Sequence, residues 1–135
     1  MLNLSKKIEY GLMALRHMAS LPNGTVVTAK EISEKYNIPY ELLAKILQKL
    51  THERLIISYQ GVRGGYLLGR KADQIKLSNV FQAIEGKLNV ALVNCEAENP
   101  ETCNIFSTCT IKDPLVKIQH KINTMFDEMS ISEIV

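Results

Sequence analysis

At 135 residues with 46% apolar content and no Trp, the chain fits one compact domain with an appended oligomerisation element, its core built mainly from Leu, Ile, Val and Met. No apolar stretch approaches the roughly 20 residues that span a bilayer, and Met1–Lys7 carries no secretory segment, so the expectation is a cytoplasmic protein with reduced thiols. The net charge of +2 is uneven: residues 1–75 carry +5 and residues 76–135 carry −3, which suits an anionic partner for the first half, or equally an uneven solvated surface.

Ser5 is placed to cap a first helix whose apolar residues Ile8, Leu12, Leu15 and Ala19 recur every three to four positions. Pro22-Asn23-Gly24 ends it with turn chemistry. Thr28-Ala29-Lys30-Glu31 then reads as a capping box opening a short helix with Ile32 and Tyr36 inward. Asn37-Ile38-Pro39 breaks that helix, and Pro39 fits the first position of the next. This third helix runs to about His52 and buries Leu43, Ile46, Leu47 and Leu50. Two helices in this order and spacing form a helix-turn-helix.

Leu55–Gln60 has strand character, Gly61–Gly65 forms a turn, and Tyr66-Leu67-Leu68 returns. A hairpin directly after a helix-turn-helix is a wing. Ser78 is expected to cap a fourth helix with Val80, Phe81 and Ile84 inward and Gly86 near its end. Periodicity collapses from Asn89 to Thr110. Asp113 is expected to cap a last long helix with Pro114 first, and Leu115, Ile118, Ile122, Met125 and Met129 form a heptad seam. Such a seam fits a partner helix; a one-sided core helix is the competing reading. Ser130–Glu133 has the residues to start one further helical turn. The expected fold is mainly α: a winged helix-turn-helix over residues 1–75, then a cysteine loop and dimerisation helix over residues 76–135.

In helix-turn-helix proteins the second helix enters the major groove and its first residues touch base edges. The candidate DNA contacts are Pro39, Tyr40, Glu41, Ala44, Lys45 and Gln48 on that helix, with Lys49 farther along meeting phosphate. Gln60 and Arg63 belong to the wing, Arg63 at its tip for the backbone or a narrow minor groove. Glu41 fits base selection, since a carboxylate accepts from cytosine. A protein-interaction module would share the geometry; the basic first half favours DNA.

Cys95, Cys103 and Cys109 fall within fifteen residues, in a polar, turn-rich stretch. Three packing thiols fit such surroundings poorly, and a disulfide fits neither the odd count nor a reducing compartment. Grouped soft thiolates suit zinc or an iron–sulfur cluster. The short Cys-x₂-Cys spacing of zinc sites is missing, and the longer gaps suit a cluster. No nucleophilic triad, phosphate loop or paired acidic motif is visible, so the chain does not read as an enzyme.

These stretches together resemble the IscR/NsrR-type regulators of the Rrf-two family over nearly the whole chain. The matching parts are Leu4–Leu12, the helix-turn-helix from Ile32 to Leu50, Gly64–Leu68 of the wing, the three-cysteine loop and Ser132-Glu133-Ile134. The resemblance implies a homodimer with crossed long helices on a palindromic double-stranded operator, each protomer holding one iron–sulfur cluster, [2Fe–2S] or [4Fe–4S], on Cys95, Cys103 and Cys109. IscR-like members place a His three residues after the last cysteine, where this chain has Lys112. Nitric-oxide-sensing members use a first-helix carboxylate from the opposite subunit, which corresponds here to Glu9; otherwise Glu9 reads as an ordinary solvated helix residue. A cluster-free regulator with oxidisable thiols, or a cluster-carrying redox protein that does not act on DNA, are the alternatives.

Overall fold

A computed structural model of the chain describes residues 4–62, 64–86 and 110–135. Among these, five α-helices and one two-stranded antiparallel sheet make a mainly helical winged helix-turn-helix. The helices are α1 (Lys6–Ser20), α2 (Ala29–Tyr36), α3 (Tyr40–His52), α4 (Leu77–Glu85) and α5 (Lys112–Glu128). The wing strands are β1 (Ile56–Tyr59) and β2 (Gly65–Leu68), paired Ile56 with Leu68 through Tyr59 with Gly65.

Local chemistry sets most boundaries. Ser5 caps α1, its Oγ accepting from the Ile8 amide at 3.3 Å. Thr28 and Glu31 form the reciprocal capping box of α2, each bond 3.1 Å long. The turn into α3 is tight because Asn37 adopts a left-handed conformation, and the Ser33 hydroxyl then donates to the Ile38 carbonyl at 2.6 Å. At the far end of α3, Arg54 takes the left-handed position (φ 60°) and the Leu55 amide bonds back to the Leu50 carbonyl at 3.0 Å.

Several boundaries differ from the sequence expectation. Pro39 is the residue before α3 rather than its first residue. Asp113 and Pro114 lie inside the first turn of α5, which begins at Lys112; proline is tolerated there because first-turn amides have no helical acceptor. Ser78 does not cap α4. Lys76 precedes that helix, its amide bonded to Asn79 Oδ1 at 2.9 Å, and Ser78 is buried in the first turn. With Ser78 as cap the helix would begin at Asn79; it begins two residues earlier, at Leu77, directly after Lys76, which an antiparallel bridge to the distant Ser130 holds extended.

One core joins the elements. Ile8, Leu15, Ile32, Leu43, Ile46, Leu47 and Leu50 from the first three helices meet Leu55, Ile56, Ile75, Val80 and Ile84. Ile131, in a short 3-10 turn after α5, returns to this core and is fully buried, its amide bonded to the Ile75 carbonyl at 2.9 Å. The core therefore runs across the expected division at residue 75. Val27 forms an isolated bridge to Tyr66 through bonds of 2.8 and 2.7 Å, which anchors the second wing strand to the segment before α2.

Candidate nucleic-acid interface and sensing residues

The face of α3 opposite the core presents the expected polar set. Leu43, Ile46, Leu47 and Leu50 are buried, while Tyr40, Glu41, Lys45, Gln48 and Lys49 are exposed and Ala44 is half-buried. Tyr40, an aromatic that the interior would readily take, stands 55% exposed at the start of the helix. Exposed Pro39 supplies no side-chain cap, so the first amides of α3 carry no side-chain acceptor there. Unoccupied first-turn amides and the positive end of the helix dipole suit a phosphate oxygen.

The wing leaves β1 beside the end of α3. Gln60 is exposed next to the hairpin turn, and Arg63 lies outside the described residues. Val62 in the same turn is fully solvent-exposed. Lys49 differs from its neighbours: its Nζ donates to the Ile84 carbonyl at 3.1 Å, at the end of α4.

Glu9 sits in the first turn of α1, half-buried, with its Oε2 2.8 Å from Lys6 Nζ. That hydrogen bond, with the charge of Glu9, raises the Lys6 pKa. Both partners face solvent, so the pair is weak and leaves the carboxylate open to another cation. Cys95, Cys103 and Cys109 lie outside the described residues. Among the described residues no cluster of metal-binding side chains occurs, and no helix is long and apolar enough to cross a membrane.

The seam of α5 has little cover. No residue of α5 is buried: Ile118 is 47% and Met125 48% exposed, and Leu115 and Ile122 are half-exposed. The helix attaches to the core through Phe126, whose ring lies 4.8 Å from that of Phe81, and through Met129.

Residues 4–135 match the Rrf2 family, described as iron-dependent transcriptional regulators. The chain belongs to the Rrf2 family. Its fold is shared with solved members of 22–23% identity. CymR of B. subtilis, the global cysteine regulator of that organism, superposes with a TM-score of 0.75 at 22% identity, covering 99% of this chain and 96% of CymR. IscR of T. potens gives 0.76 at 23% identity, covering 98% of this chain and 85% of IscR. The oxidized form of S. aureus CymR gives 0.72 at 22% identity, over 96% and 92% of the two chains. As an Rrf2 regulator the protein is a DNA-binding transcription regulator, and family members are not enzymes.

Two contacts around this interface have no signal in the sequence. The Lys49–Ile84 contact joins residues 35 apart, and nothing in either segment marks the pairing. Val27 pairs with Tyr66 as a single bridge, too short to leave a period-two pattern.

Proposed function

We propose that this protein is a homodimeric transcription regulator, working as a repressor, whose affinity for a palindromic operator is set by an iron–sulfur cluster on Cys95, Cys103 and Cys109. The observation that carries the DNA half of the reading is the split of α3, with one face in the core and Tyr40, Glu41, Lys45 and Gln48 outward. Tyr40, Glu41, Ala44 and Lys45 meet base edges; Pro39 lies alongside at the uncapped helix start, and Gln48, Gln60 and Arg63 lie against the groove wall or backbone. The half-exposed seam of α5 receives the same seam of a second copy, which sets the spacing of the two recognition helices.

For the sensing half, three thiolates within fifteen residues form a soft donor set suited to iron, and the description of the family as iron-dependent supports that choice. The partner subunit's first-helix carboxylate, Glu9, is the fourth ligand. Its weak, solvent-facing pair with Lys6 leaves it free to serve. When bound, the cluster supplies a group that iron supply, oxygen or nitric oxide alters. The chain's own task is to convert that alteration into a change at α3.

Strictly anaerobic purification followed by iron and acid-labile sulfide analysis tests this reading. Near-equal iron and sulfide in a coloured protein is the expected result, and Cys103→Ala should lose both while remaining folded and dimeric. Colourless protein after reconstitution would overturn the cluster and leave direct thiol oxidation as the sensing chemistry. A cluster-carrying redox protein that ignores DNA would show no salt-dependent duplex binding.

A further inference from the structure

Lys49 belongs to the recognition helix, yet its ammonium is turned to a partner inside the protein. Its Nζ donates to the Ile84 carbonyl at 3.1 Å, crossing from α3 to α4. Carbonyls in the last turn of a helix have no helical donor, and the negative end of the helix dipole favours a cation there. Gly86 closes α4 in the left-handed conformation (φ 71°), and the chain continues from it into the segment that contains the three cysteines.

The same turn is held from a second side. Ser5, the cap of α1, donates through Oγ to Glu85 Oε1 at 2.5 Å. Ile84 itself is buried, with its Cδ1 in the space that a Cβ on Gly11 of α1 would need. The last turn of α4 thus contacts α1, which carries Glu9, and the recognition helix. Polar bonds 80 and 35 residues long in sequence meet on two consecutive residues.

We propose that Lys49 is a positioning residue that couples the cysteine segment to DNA reading, by tying α3 to the turn of α4 from which that segment departs. A shift of this turn pulls on Lys49 and changes the placement of the recognition helix. The proposal rests on the cluster-sensing reading above, and it assigns Lys49 a role other than phosphate contact.

The two roles separate experimentally. The probe is a palindromic duplex obtained by in vitro selection on the wild-type protein, titrated against cluster-loaded and cluster-free forms over a series of salt concentrations. Lys49→Met keeps the apolar stem and helix propensity but removes the donor. Expected is a fold-difference between loaded and cluster-free affinities below a third of the wild-type fold-difference, whichever form binds tighter, with unchanged salt slope and unchanged visible spectrum. Lys49→Arg, which restores a donor, should recover the fold-difference. A salt slope reduced by about one with the fold-difference intact would make Lys49 a phosphate contact and overturn the proposal. Should Lys49→Met prove unstable, Glu85→Ala loosens the same turn from the α1 side and must shrink the same fold-difference; an unchanged fold-difference there overturns the proposal as well. Equal affinities of the two wild-type forms would remove the sensing reading and this inference with it, whereas a wild-type fold-difference that survives Lys49→Met overturns the inference alone.

Discussion

The third and fifth helices carry similar apolar periodicity and meet opposite fates. In α3, Leu43, Ile46, Leu47 and Leu50 vanish into the core of their own chain. In α5, a longer helix with an equally regular seam, no residue is buried, and Ile118 and Met125 keep nearly half their surface in water. The difference lies in what surrounds each helix. Among the described residues, three other helices and the wing enclose α3, whereas α5 touches its chain mainly through α4 and its own C-terminal end. An amphipathic stripe predicts burial without naming the partner. For α3 the partner is the same molecule; for α5 we assign it to a second copy.

That contrast makes graded predictions. The largest effect on folding belongs to α3: Leu47→Ala should cost about 2–5 kcal/mol, a large part of the roughly 5–15 kcal/mol that holds a domain together. Denaturant unfolding followed by circular dichroism measures it, and a loss below about 1 kcal/mol would mean that the site is less enclosed than its zero exposure implies. Ile118→Glu should do the reverse, leaving the helical spectrum intact while sedimentation shows monomers. Binding to a palindromic duplex should then fall roughly a hundredfold as the two half-sites lose their linkage. A variant that stays dimeric would place the interface elsewhere.

Smaller effects test the local chemistry that holds α2 against this core. Thr28→Ala removes one arm of the capping box and should cost about 1 kcal/mol, read from the same unfolding curves. His17 offers a pH handle on the α1–α2 contact. Its Nδ1 lies 2.9 Å from the Tyr36 hydroxyl, and burial first, then the charge of Lys35, lowers its pKa. A lowered folded-state pKa means that the unfolded chain takes up the proton first as pH falls through the ordinary imidazole value of 6.5. Stability is therefore fully present above that value and declines on the acid side, until the folded protein also protonates. The thermal midpoint of the wild type should drop more than that of His17→Gln between about pH 7.5 and about pH 5.5. Equal drops would place the pH dependence in other groups.

Much of this architecture is legible in sequence because it depends on near neighbours. The Thr28/Glu31 box, the stripe of α3 and the turn residues of the wing are patterns within a few positions. What the sequence reading missed is non-local. Ser78 looked like a cap, yet Lys76, held extended by its pairing with distant Ser130, stands in that place two residues earlier. Ile131 follows a seam helix and nonetheless returns to the core. Lys49 read as a surface cation of a DNA-facing helix, and only the fold brings it to Ile84. Among the candidate site residues, those on α3 follow directly from its stripe. The assignment of the cysteines and Glu9 came from family resemblance, since thiol spacing by itself is compatible with several metals.

The most direct test of the account is a duplex titration of anaerobically purified protein before and after its iron is removed by chelation, with iron and sulfide measured on the same samples. Affinity for a palindromic site should change at least tenfold when the iron leaves, while the protein remains folded and dimeric. Identical affinities with and without iron would contradict it, and would leave a DNA-binding Rrf2 regulator whose signal enters by another route.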